Sequence, residues 1–181
     1  DAVKFQTYKT ELLINKNNKT AKYQKKSGFY DQYSMLKKFE ISYEDFEKLF
    51  KYCKKKNIIF LSTPFDQESA LFLKKLNIAA YKISSGDFDN YHLIDLVKKF
   101  NKPIILSTGM SNESDLKKII KFQNLKKNNT IFLHCISNYP TILKETNLGY
   151  LKFFKKIKFL YGFSDHTKSD VATLAAISLG A

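Results

Sequence analysis

At 181 residues, 44% of them hydrophobic, the chain can bury one sizeable core and is too apolar to be disordered throughout. Its formal charge of +14 invites a polyanion partner, yet all 31 basic residues are lysine and none is arginine. Nucleic-acid readers lean on arginine for bidentate base contacts and stacking, so no nucleic-acid partner is expected and the lysines read as a solvated surface.

The longest apolar stretches, such as Asn57 to Leu61 and Ile104 to Leu106, fall far short of the roughly 20 residues of a membrane helix, so no membrane partner is expected. Asp1 to Tyr8 carry no basic segment followed by an apolar one, as a secretion signal would. They read as a strand, and the true start of the protein is therefore expected upstream. Cys53 and Cys135 belong to no CxxC pair or zinc-ligand spacing and cannot build a disulfide framework, which fits a cytoplasmic location.

In chain order, β-rich runs occur at Ala2 to Tyr8, Asn57 to Thr63, Asn77 to Ser84, Lys102 to Thr108, Thr130 to Ile136 and Ile157 to Ser164. Helical spacing occupies Ser42 to Lys55, Asp66 to Lys75, Tyr91 to Phe100, Ser111 to Phe122, Asn147 to Lys155 and Lys168 to Leu179. Ser42 followed by Asp45 resembles a capping box, and Phe46, Leu49, Phe50 and Cys53 then share the face that packs on the sheet. The polar segment Thr10 to Glu40 reads as an excursion within the first βα loop, over the barrel mouth.

Such alternation predicts βαβ units and a parallel sheet. An open doubly wound sheet would carry a glycine-rich phosphate turn after its first strand, and the chain has only 6 glycines and no GxGxxG. Nearly every strand run instead ends in polar, chemically capable residues: Lys4 and Gln6, Ser62 and Thr63, Lys82 and Ser85, Ser107 and Thr108, His134 and Ser137, and Ser164 to His166. Closing parallel strands into a ring brings such ends to one mouth. The predicted fold is α/β, an incomplete TIM (β/α)8 barrel with about six of its eight units present.

Lys4 and Lys82 lie in apolar runs, where an inward ammonium needs an anion, and Ser85, Ser107 and Ser164 would donate hydrogen bonds to phosphate oxygens. His166, between a strand and a helix, suits a metal ligand or a general base. His134 reads as a buried, hydrogen-bonded core residue, His92 as a surface residue, and Cys135 as a small buried thiol.

Six strings carry a resemblance: Val3-Lys4-Phe5-Gln6, Leu61 to Asp66, Tyr81 to Asp87, Lys102 to Met110, Leu133-His134-Cys135 leading to Tyr139-Pro140, and Phe163 to Thr167. In this order at strand ends they resemble the sialic acid synthase family, including N-acetylneuraminate and legionaminate synthases. Ala21 to Gln24, Met35-Leu36 and Glu40-Ile41-Ser42 look more like the sialic and legionaminic branch than the pseudaminic one. The resemblance implies a transferase that condenses phosphoenolpyruvate with N-acetylmannosamine or a related N-acylated sugar. The products would be a nine-carbon 2-keto acid and phosphate, made for cell-surface polysaccharide.

By motif match, Lys4, Lys82, Ser85, Ser107 and Ser164 would hold phosphoenolpyruvate and Ser137 would add a hydrogen bond. Gln6, Asp87 and Tyr139 match residues that contact the sugar, and together with Lys4 they form the implied catalytic set. His166 matches one of two histidines that bind a divalent metal, usually manganese, with magnesium or cobalt as substitutes. The whole protein is expected to be a homodimer.

The family pattern also has an opening strand with a glutamate and an Asn-His pair, and a later Glu-Lys-His-Phe strand. A small C-terminal antifreeze-like (SAF) domain follows. None of these is in the sequence, so the chain by itself is expected to be inactive, and Ser84 stands where glycine or alanine is more usual. Two other readings are open: a related phosphoenolpyruvate-dependent synthase acting on a sugar phosphate, and a non-catalytic basic binding module.

Overall fold

The computed structural model describes residues 1–16 and 31–181, arranged as two compact units, Asp1–Ala79 and Ala80–Ala181. The first unit holds β1 (Ala2–Thr7), α1 (Thr10–Leu13), α2 (Gln32–Phe39), α3 (Tyr43–Lys55), β2 (Ile59–Pro64) and α4 (Gln67–Leu76). The second holds β3 (Tyr81–Ile83), α5 (Tyr91–Lys98), β4 (Ile104–Ser107), α6 (Glu113–Phe122), β5 (Thr130–His134), α7 (Leu151–Ile157), β6 (Leu160–Phe163) and α8 (Val171–Ser178). In the first unit β1 pairs in parallel with β2; in the second, β3, β4, β5 and β6 pair in parallel in sequence order.

Side-chain alternation assigns the two faces of each sheet. Phe5 stacks on Phe60 at 5.1 Å between ring centroids, and Phe46 of α3 meets both rings edge-on at 6.3 and 6.4 Å. That face of β1 and β2 therefore lies under α3, with Phe46 fully buried. In the second unit Tyr81 packs on Phe100 just past α5, and Phe132 stacks on Phe154 of α7 at 5.8 Å. The register pairs Tyr81 with Ile104, Ile104 with Thr130 and Phe132 with Tyr161, so these positions form one helix-covered face.

The opposite face carries Lys82, Ile105, Ile131 and Leu133, all partly exposed. A doubly wound sheet would cover both faces with helices, whereas a barrel leaves one face for its interior. The fold is that of a partial (β/α)8 barrel.

Caps explain the helix boundaries. Ser42 accepts from the Asp45 amide at 3.1 Å, Asp66 from the Ser69 amide at 2.7 Å, and Asn112 forms a reciprocal capping box with Asp115. At Ser42 the second arm of the expected box is different: its hydroxyl donates to the Asp45 carboxylate at 3.0 Å. Helices α3 to α6 are each followed within three residues by an asparagine at positive φ (Asn57, Asn77, Asn101 and Asn124), so asparagine fills the left-handed cap that glycine usually takes. After α7 this position is Lys158, at φ 59°. Lys158→Gly is expected to raise stability by about 0.5–1 kcal/mol, read as a higher urea midpoint at unchanged m-value.

Two expectations need correction. The Asn77 to Ser84 strand shrinks to three residues because Asn77 is the left-handed cap of α4 and Ile78 is fully buried before the ladder begins. The segment from Thr10 to Glu40 is helical at both described ends, whereas Ala21 to Gln24 lies outside the described residues. Glu40 ties these ends together: it accepts from the Thr10 amide at 3.0 Å and hydroxyl at 2.7 Å, and pairs with Lys9 and Lys37.

Burial alone would raise the Glu40 carboxyl, but the Thr10 and Lys37 contacts outweigh it and hold the group at about 2, against an ordinary 4.5. Because the folded value is depressed, the stabilisation is complete above pH 4.5 and is lost as pH falls through about 2. Glu40→Gln is expected to cost about 1–2 kcal/mol at pH 7 after allowance for solvent screening of the lysines. That deficit should shrink in denaturation curves taken through the acid range.

Candidate functional site

Alternation divides the polar strand ends into two groups. Ser62 is on the helix-covered face, hydrogen-bonded to Thr7 at 2.7 Å, and Thr108 is committed to the Leu133 carbonyl through both its amide and its hydroxyl at 3.1 Å. His134 also faces the helices. It is 5% exposed, lies against Tyr150 and Phe163, and its Nε2 donates to the Thr146 carbonyl at 2.7 Å. A carbonyl can only accept, so Nε2 carries the proton, and burial holds the ring below the ordinary histidine range, keeping it neutral. These residues hold the strand ends in place.

Lys82, Ser107 and Ser164 belong to the other face. Lys82 pairs with Ile105, Ser107 with Leu133, and Leu133 with Gly162, so Ser107 and Ser164 each stand two residues beyond a position on that face. Ser107 is buried, and the Ser164 amide donates to the His134 carbonyl at 2.8 Å, extending the β5–β6 ladder one step past the strand.

Ser85 and Ser137 meet at Gly109. The Gly109 amide donates to Ser85 Oγ at 3.0 Å, and Ser85 Oγ lies 3.3 Å from Cys135 Sγ. A Cβ on Gly109 would sit 2.7 Å from Ser137 Oγ, 2.8 Å from Cys135 Sγ and 3.0 Å from the Cys135 carbonyl oxygen. Only a glycine lets the chain after β4 approach the end of β5 this closely. Sequence reasoning assigned Gly109 no individual role, only the general one of the glycines beside these serines, letting a backbone amide approach.

His166 is fixed from three directions. Nδ1 lies 2.6 Å from the Ile136 carbonyl, the backbone oxygen accepts from the Thr141 amide at 2.8 Å, and the Tyr139 ring stacks on the imidazole at 4.1 Å. In the neutral ring the Ile136 carbonyl puts the proton on Nδ1, which leaves Nε2 to accept from Ser164 Oγ at 3.2 Å. Asp165, also without an assigned role, ties this turn to α8 by accepting from the Thr167 amide at 2.8 Å and the Thr173 hydroxyl at 2.7 Å. Burial pushes its carboxyl up, and these bonds bring it below the usual range.

Asp87 belongs to a short turn after β3, where its carboxylate accepts from the Ser84 hydroxyl at 2.5 Å and from Asn90 Nδ2 at 3.4 Å. The unusual Ser84 thus holds Asp87. In the first unit, Lys4 and Gln6 are exposed on the face of β1 opposite Phe5. Lys4 is still surrounded closely enough for desolvation to lower its ammonium below the usual lysine range. A cavity of about 330 Å³ opens beside Ser85, toward Asp89, Tyr91 and Met110. Lys82, Ser107 and Ser164 do not line it.

For a divalent metal, His166 Nε2 has the right chemistry, a lone pair oriented by a carbonyl bond at the other nitrogen. It is one ligand: among the described residues no three histidine, cysteine or acidic side chains are grouped to hold an ion. The described residues therefore fit a metal at this single position. No helix among them is long and apolar enough to cross a membrane.

The partial barrel, with serines, a lysine and a histidine at the ends of its parallel strands, defines the class. A family model described as the NeuB family matches residues 1–181, and the chain belongs to that family. It is 38% identical over 187 residues to the N,N'-diacetyllegionaminic acid synthase of Campylobacter jejuni, covering all of this chain and 56% of that protein. It is 33% identical over 186 residues to a pseudaminic acid synthase of the same organism, covering 54% of it. Among solved structures, the N-acetylneuraminic acid synthetase of Leptospira borgpetersenii superposes with a TM-score of 0.85 at 31% identity, over 99% of this chain and 59% of that one. The chain spans about half the length of the curated relatives it matches.

Proposed function

We propose that the chain is the barrel portion of a phosphoenolpyruvate-dependent sugar-acid synthase that accepts an N-acylated mannosamine-type sugar. The reading is supported chiefly by the grouping of Lys82, Ser107 and Ser164 on the uncovered face of β3 to β6, in a chain matched by the family throughout. Lys82 would neutralise the phosphate or carboxylate of phosphoenolpyruvate. Ser85, Ser107, Ser137 and Ser164 would donate to its oxygens, and the Gly109 amide fixes the Ser85 hydroxyl that does so. Lys4 would contribute a second positive charge.

Gln6, Asp87 and Tyr139 would orient the sugar, Asp87 with its carboxylate held by Ser84. A divalent metal, manganese first, held by His166 with further ligands, would supply Lewis-acid polarisation of the sugar aldehyde. The whole protein is read as a cytoplasmic homodimer. The reading is tested by phosphate release from phosphoenolpyruvate in a protein carrying this chain, supplied with manganese and N-acetylmannosamine or its diacetamido analogue. Release with either acceptor is expected, and failure with every such sugar would contradict it.

A further inference from the structure

Ser85 Oγ accepts from the Gly109 amide at 3.0 Å, which leaves its own proton to be placed. The sulfur of Cys135 lies 3.3 Å away. A thiol is both a weak donor and a weak acceptor, so it can take that proton or return one. Cys135 is 2% exposed, and its Sγ packs against Gly109, 2.8 Å from where a Cβ there would stand. We propose that Cys135 is a positioning residue for Ser85: its sulfur accepts the hydroxyl proton until an anion binds, and its S–H then donates to Ser85 Oγ as the hydroxyl turns to the anion. No bond other than hydrogen bonds is made or broken. The proposal rests on the reading of Ser85 as an anion ligand, and it extends the site to a residue that touches the ligand only through Ser85.

The test is a titration of the whole chain with inorganic phosphate and, separately, phosphoenolpyruvate, followed by phosphorus NMR. Cys135→Ala is expected to weaken both affinities about threefold to tenfold, and Cys135→Ser to stay within about twofold of the parent. In a Ser85→Ala background, Cys135→Ala should have no further effect, a coupling that a purely packing role would not produce. The infrared S–H stretch of Cys135, told apart from that of Cys53 by its absence in Cys135→Ser, should shift when phosphate is added.

Unchanged affinity in Cys135→Ala with an unmoved band, or an equal loss in the Ser85→Ala background, would overturn the proposal while leaving the anion site standing. Absence of phosphate and phosphoenolpyruvate binding in the unsubstituted chain would overturn the site reading as well. If Cys135→Ala does not fold, the band shift and the Cys135→Ser affinity decide the question alone.

Discussion

Gly109→Ala is expected to weaken phosphate and phosphoenolpyruvate binding by at least about tenfold and to lower stability by about 1–3 kcal/mol, the usual cost of overpacking. The added methyl would lie 2.7 Å from Ser137 Oγ, which can rotate away. It would also lie 2.8 Å from the buried Cys135 sulfur and 3.0 Å from the Cys135 carbonyl oxygen, which cannot move without displacing the end of β5. Either the chain after β4 retreats, taking the Gly109 amide from Ser85, or the chain after β5 moves, taking Ser137 with it. Calorimetric titration beside urea denaturation separates the two effects. Binding that survives at full strength in a folded Gly109→Ala protein would show that this corner does not form the anion site.

His134→Ala should cost about 3–5 kcal/mol, by analogy with other large buried rings removed to alanine. His134→Phe keeps the ring volume but strands the Thr146 carbonyl, and should cost about 1–3 kcal/mol. The difference between the two variants isolates packing from the 2.7 Å hydrogen bond. Burial lowers the folded-state value of His134, so protonation favours the unfolded chain. Its contribution is complete above its ordinary 6.5 and declines as pH falls from there toward the lowered folded value. Denaturation of the parent should show this decline, and His134→Phe should lack it.

The strand and helix order was legible because apolar periodicity and a cap such as Ser42 are local signals. What misled was equally local. Asn77-Ile78-Ala79-Ala80 reads as strand, yet Asn77 takes the left-handed conformation and ends α4. The lysine-rich stretch of α2 hides a helix whose cap, Asp31 to the Ser34 amide at 2.7 Å, lies inside a polar run.

The candidate site residues were named through the resemblance, residue by residue. Composition alone could not place Thr108 and His134 on the helix-covered face of β3 to β6 and Lys82, Ser107 and Ser164 on the other. That division depends on pleat and register, which one-residue slips would invert. The contacts that tune the site, Cys135 on Ser85 and Ser164 on His166, bring together groups from separate loops or across a turn. Only the folded chain reveals them.

The most direct test of the account is calorimetric titration of this chain with phosphoenolpyruvate, comparing the parent with Lys82→Ala at low and moderate salt. The account predicts saturable binding by the parent and a loss of about tenfold or more in the variant, as expected when a charged hydrogen-bond donor to an anion is removed. Absence of binding by the parent, or equal affinity in the two proteins, would contradict it.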